Sequence, residues 1–219
     1  EILPLLQARF GKWKAPRTTL KLPEVAKVGL PEASRVFLVD QPGAVQANIL
    51  VGQLVNSTMD PKALEFDIAN GVLGGKFTSR LNMKLREEKQ WAYGAYSFAS
   101  AAKGQRPWIG FAPVQIDKTG EAIVEMRNDI TAFAAGDEPV TADELGKIKV
   151  SNVRSLPGAY ETAGAVMGAI GGIVRYQRPD DYVTTLKQRI EAVTLEAARA
   201  AAGLIQPKAL TWVVVGDLL

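Results

Sequence analysis

The sequence predicts an α+β domain: a mostly antiparallel sheet with helices packed on one face. Three observations carry this. Segments that alternate apolar and polar residues are concentrated in the first half of the chain. Segments with apolar residues three and four apart dominate the second half. A short apolar run at residues 210–215 then returns to strand character. At 219 residues, 47% hydrophobic and 22% charged, the chain is long enough to bury a sizeable core, as one large domain or at most two small ones.

The elements follow in order. Residues 5–13 read as the end of a helix, with Leu5, Leu6, Phe10 and Trp13 at helical spacing. Residues 14–23, with Pro16 and Pro23, read as a surface loop or an interdomain strap. The expected division is therefore 1–23 as helix end and linker, and 24–219 as the domain. Residues 35–40 form a strand stopped by Gln41-Pro42-Gly43. Residues 45–55 form a second, with Val45, Ala47, Ile49 and Val51 on one face. The Pro-Gly between them predicts a tight turn and antiparallel pairing of these two strands.

Asp60 as N-cap and Pro61 at the first helical position open a helix running to Leu73, which Gly74-Gly75 stops. The glycines are read as allowing a sharp turn into a second helix over 79–89, with Leu81 and Leu85 on one face. Residues 91–100 alternate as a strand, with 108–116 as hairpin partner. A helix over 118–135 buries Ile123, Met126, Ile130 and Phe133. Thr141 and Glu144 form a capping box for the next helix, which Pro157-Gly158 breaks. Residues 161–175 are apolar and small, suited to close packing. Helices over 180–190 and 195–204 precede the last strand.

Composition narrows the chemistry. The chain has no cysteine and no histidine. Disulfides, thiolate metal sites, cysteine nucleophiles, Ser-His-Asp triads and histidine-bearing zinc sites are all excluded within it. No Asp/Asn/Gly loop is spaced for calcium. The net charge of +3 comes from interspersed charges, so neither nucleic acid nor membrane insertion is expected. No apolar run reaches membrane-spanning length, and Glu1-Ile2-Leu3-Pro4 lacks the features of a signal peptide. The chain starts without methionine and is expected to be a processed or excised fragment.

The informative stretch is residues 70–97. Arg86 lies near the end of the second helix and Tyr93 on the strand after it. A helix packing back over that strand brings a guanidinium and a phenol to one sheet edge. Both are donors at neutral pH and could hold a peptide carbonyl as charge develops on it. Neither is a base able to activate water. By spacing alone, Arg86 reads first as a surface helix charge and Tyr93 as a half-buried strand aromatic.

The run from Leu73 to Ser97, L-G-G-x-F-x-S-R-L-x-x-x-L-R-E-x-x-x-x-A-Y-x-x-x-S, resembles the C-terminal-type domain of the insulinase/pitrilysin zinc metallopeptidase family. Phe10-Gly11-Lys12-Trp13, Pro42-Gly43-Ala44-Val45-Gln46, Leu156-Pro157-Gly158 with Glu161-Thr162, and Val213-Val214-Val215-Gly216-Asp217 extend the resemblance along the chain in the same order. The resemblance implies one half of a clamshell around an unfolded peptide. The other half carries zinc on an inverted His-x-x-Glu-His motif. It implies that Arg86 and Tyr93 reach the substrate near the scissile bond and that Arg80 is structural, pairing with a carboxylate. Ala92, Gly94, Ala95 and Ser97 are expected along the peptide path. No cofactor is expected in this chain. Zinc is expected on the partner domain or subunit, with an extended peptide as substrate and a periplasmic location. An inactive assembly subunit and a plain peptide-binding module stay open as other readings.

Overall fold

A computed structural model describes residues 2–14, 18 and 26–217. The elements are α1 (Ile2–Phe10), β1 (Arg35–Asp40), β2 (Gln46–Val55), α2 (Ala63–Leu73), α3 (Arg80–Asn82), β3 (Tyr96–Ala99), β4 (Arg106–Gln115), α4 (Thr119–Ala135), α5 (Ala142–Ser155), α6 (Ala163–Arg175), α7 (Tyr182–Ala192), α8 (Leu195–Ala202) and β5 (Thr211–Gly216). The helix that begins as α3 widens into a π-helix over Met83–Glu88. Most of the expected linker lies outside the described residues.

The five strands form one sheet in the order β1-β5-β2-β4-β3, antiparallel except for the β1–β5 pair. The predicted α+β class stands. The predicted pairing of the first two strands does not: they run in opposite directions, but β5 lies between them. Strands two places apart are separated by roughly 10 Å, well within the reach of the five residues 41–45. Gly43 sits at φ 77°, and its N–H donates to Asp217 Oδ2 at 2.8 Å, so the turn is tied to the end of β5 that it bridges. A Pro-Gly turn thus fixes strand direction here without fixing adjacency.

The alternation along β2 is as read. Ala47, Ile49, Val51 and Val55 point into the core, whereas Val45, expected to share their face, precedes the strand and is exposed. The core also takes Trp108, Val114 and Val214 from the sheet, Phe66 and Ile68 from α2, and Met126, Ile130 and Phe133 from α4. On the opposite face, register places Phe37, Val213, Leu50, Phe111 and Tyr96 in one row across all five strands. All five are half-buried or exposed, so this face is apolar yet largely open.

Three local expectations change. Asp60 caps a turn ahead of the helix: its carboxylate accepts from the Lys62 N–H at 2.8 Å, and α2 starts at Ala63. The strand expected over 91–100 shortens to β3, with Ala92 making a single bridge to Val114. Finally, α6 buries none of its residues. A methyl group placed on Gly164, Gly168 or Gly171 would meet nothing within 4 Å. At these three positions no described residue packs closely, and Met167, Ile170 and Val174 are exposed. The Thr141–Glu144 capping box forms as expected.

Candidate functional site

The site is built where the C-terminal end of α2 meets β3. Asn70 is buried there and bonded on both sides of its amide. Its Nδ2 donates to Ser97 O at 2.9 Å, and its Oδ1 accepts from Ser97 Oγ at 2.6 Å and Trp108 Nε1 at 2.7 Å. This fixes the helix end against the strand. Gly74 then passes so close that a methyl group on it would fall on Ser97 Oγ and the Ser97 amide nitrogen. The Ser97 N–H donates to Gly74 O at 2.8 Å. Neither Gly74 nor Gly75 has a positive φ. Close approach, and not a left-handed turn, is why glycine stands there, which corrects the sharp-turn reading.

Asn82 holds the other side. Its Oδ1 accepts from the Ala95 N–H at 3.0 Å, and its Nδ2 donates to Phe77 O at 2.6 Å. One buried amide therefore clamps the Gly-Gly loop and the segment entering β3. Gln90, at φ 58°, turns the chain out of the π-helix. Between the Ala92–Val114 bridge and the clamped Ala95, the chain bulges and leaves Tyr93 85% exposed.

The two arginines of this helix are held differently. Arg80 Nε and Nη2 each donate to Glu144 at 2.8 Å, and Nη1 and Nη2 donate to Glu138 O at 2.6 Å and Pro139 O at 3.0 Å. This is the expected structural pairing. Burial pushes the Glu144 carboxyl upward, but the Arg80 and Thr141 hydrogen bonds outweigh it and leave it below its ordinary range. Arg86 instead lies within the π-helix. Its Cζ stacks 4.5 Å from the centre of the Phe77 ring, and its Nε is 3.4 Å from Glu87 Oε1. Arg86 and Tyr93 line one open groove of about 420 Å³, together with Gly74, Phe77 and Gly94.

The predicted site residues thus divide. Arg86, Tyr93 and Gly94 share the groove, and Ala92 adjoins Tyr93 at the bridge. Ala95 and Ser97 are only 1% and 2% exposed, and their amides are committed to Asn82 and Gly74. Both nevertheless line the same groove, from buried positions beside Gly94. Asn70, Asn82 and Phe77 were not singled out in the sequence. The available signal was a polar amide at a helix position facing the core, as at Asn82 beside Leu81.

The donor set does not fit zinc. There is no histidine or cysteine, and no three carboxylates converge among the described residues.

The chain is similar to known proteins along most of its length. It is 24% identical over 210 residues to an uncharacterized zinc protease of Streptomyces coelicolor, covering 96% of this chain and 45% of that protein. The fold matches a peptidase M16 inactive domain from Pseudomonas fluorescens (TM-score 0.79, 21% identity, 90% of this chain and 47% of that one). It also matches a protease from Helicobacter pylori (TM-score 0.81, 17% identity, 99% and 52%). The chain therefore spans about half the length of these relatives. Residues 1–151 match the family described as the peptidase M16 inactive domain. By that match, the chain belongs to the peptidase M16 family, as its inactive, non-catalytic domain.

Proposed function

We propose that this domain binds an extended peptide beside the zinc centre of a metallopeptidase and stabilises the transition state through Arg86 and Tyr93. The observation that carries the proposal is their meeting in one groove while the neighbouring Arg80 is saturated by its own chain. Both are donors, so they can hold the scissile carbonyl and strengthen that hold as negative charge grows on its oxygen. Gly94, without a side chain, lets a peptide backbone approach Tyr93, and Ala92 borders the same path. Zinc and the water-activating base would come from the other half, on the same polypeptide or a partner subunit.

Two features support such a partner. The apolar row Phe37-Val213-Leu50-Phe111-Tyr96 is a sheet face left largely open among the described residues, and this chain spans only about half of its relatives. We assign that face to the zinc-bearing half. Exposed α1, with Leu5, Leu6 and Phe10 facing solvent, is read with residues 1–23 as the tail of a preceding domain and its strap. A periplasmic location belongs to the same proposal and rests on the resemblance. No described helix is long and apolar enough to cross a membrane.

The test is peptide cleavage by the domain assembled with its zinc-bearing half. Loss of kcat/KM in both Arg86→Ala and Tyr93→Phe supports the proposal. Unchanged kcat/KM in both variants removes the catalytic role. Absence of any cleavage in the wild-type assembly favours an assembly subunit or a plain peptide-binding module.

A further inference from the structure

The arginines that the fold takes out of full solvent exposure sort by what their guanidiniums bond. Arg80 is held by Glu144 and two carbonyls. Buried Arg106 grips Asp67 at 2.9 and 3.2 Å and donates to Asn56 O at 2.8 Å. Arg86 has Glu87. Arg178 and Arg189 are also half-buried, yet among the described residues neither guanidinium has an acceptor at hydrogen-bond or ion-pair distance.

What positions them is aromatic. Arg178 Cζ lies 4.1 Å from the Tyr182 ring centre and 5.2 Å from that of Tyr176, and Arg189 Cζ lies 4.5 Å from Tyr182. Stacking on an aromatic face fixes the plane of a guanidinium and leaves its in-plane N–H fork free. Both arginines line one cavity of about 290 Å³ between the 58–61 loop, the first turns of α2 and the start of α7. Its two carboxylates are hydrogen-bonded elsewhere, Asp67 with Arg106 and Asp60 with the Lys62 amide, while the Arg178 charge acts on Asp67 through space without an ion-pair contact. The chain enters the cavity at the stop of α6, where Gln177 takes the left-handed conformation at φ 51° and the Arg178 N–H donates back to Ile173 O at 2.9 Å.

Their N–H groups reach solvent and are bonded by no described protein acceptor, so a ligand oxyanion can pair with both forks at once. We propose that this cavity binds a small oxyanion-bearing ligand, a carboxylate or a phosphate, through Arg178 and Arg189, with Tyr182 holding both guanidinium planes. The site is independent of the groove at Arg86. It uses the beginning of α2, whereas the groove uses its end, some 16 Å along an eleven-residue helix. Failure of one proposal leaves the other intact.

The test is calorimetric titration of the purified protein at low ionic strength with inorganic phosphate and, separately, glutarate. Arg178→Gln, Arg189→Gln and the exposed control Arg127→Gln are titrated alongside, with thermal melts to confirm folding. Saturable binding of at least one anion is expected, weakened tenfold or more in Arg178→Gln and Arg189→Gln and unchanged in Arg127→Gln. The probe that binds separates carboxylate from phosphate. If Arg178→Gln does not fold, Arg178→Lys keeps the charge and loses the fork, and an intermediate weakening is expected. No saturable binding of either anion, or equal weakening in the Arg127 variant, overturns the proposal.

Discussion

Arg80 and Arg86 lie six residues apart on one helix that changes from α to π between them, and their surroundings are opposite. Around Arg80, a carboxylate and two carbonyls take up four hydrogen bonds, tying the helix to the start of α5. Around Arg86, an aromatic ring and one looser carboxylate hold the side chain at the rim of a groove. A guanidinium saturated by its own protein is a structural clamp. One oriented by a ring keeps donors for something else. The widening at Met83–Glu88 helps separate the two roles, because a π turn shifts where the following side chains point.

This contrast can be broken most directly at Arg86. In the assembled peptidase, Arg86→Ala is expected to lower kcat/KM by roughly 10²-fold, about 2.7 kcal/mol of transition-state stabilisation, as is Tyr93→Phe. Stability should stay within about 0.5 kcal/mol of wild type, because neither side chain is buried. Steady-state kinetics beside denaturant melts give both numbers. An Arg86 variant that unfolds as readily as it loses activity would make the two arginines alike.

Arg80→Ala should show the reverse. It leaves Glu144 and two carbonyls without their donor, and a loss of about 2 kcal/mol is expected in urea unfolding. Cleavage per folded molecule should hold.

Gly74→Ala probes the frame shared by both regions. The added methyl group would press on Ser97, so a loss of about 1.5 kcal/mol is expected, and Ser97→Gly in the same chain should restore part of it.

The smallest expected effect is at Asp129, behind the Arg80 side of the helix. Burial pushes its carboxyl up to about 6, with Glu125 and Glu138 adding to the rise and Lys84 and Arg80 opposing it. Between the ordinary value near 3.8 and about 6, the folded protein binds more protons than the unfolded chain. Stability should therefore fall as pH rises through that window. Asp129→Asn should flatten this slope and raise stability at pH 7 by about 1 kcal/mol, once solvent screening is allowed for. Melts from pH 4 to 7.5 would show it.

Much of the site's outline was legible beforehand. Leu81 and Leu85 at helical spacing put one face of their helix in the core, and the family-like run placed Arg86 and Tyr93 near each other. Asn70 and Asn82 were not legible, because an amide reads as polar surface until the groups it satisfies arrive from distant segments. The burial of Ala95 and Ser97 was not legible for the related reason that a strand pattern does not say which edge is already bonded. Likewise the small residues of α6 signal a capacity for close packing, and whether a neighbour fills it lies outside the segment.

By itself, the sequence determined which segments are strand and which helix, the inward face of β2, the Thr141 cap and the absence of histidine and cysteine, because these depend on periodicity, local hydrogen bonds and residue chemistry. Only the tertiary structure decided that β5 separates β1 from β2, that Gly74 stands where Ser97 passes, and that Arg80 is saturated while Arg86 is not. Those outcomes are set by contacts between residues far apart in the chain, where packing and the satisfaction of buried polar groups override local preference.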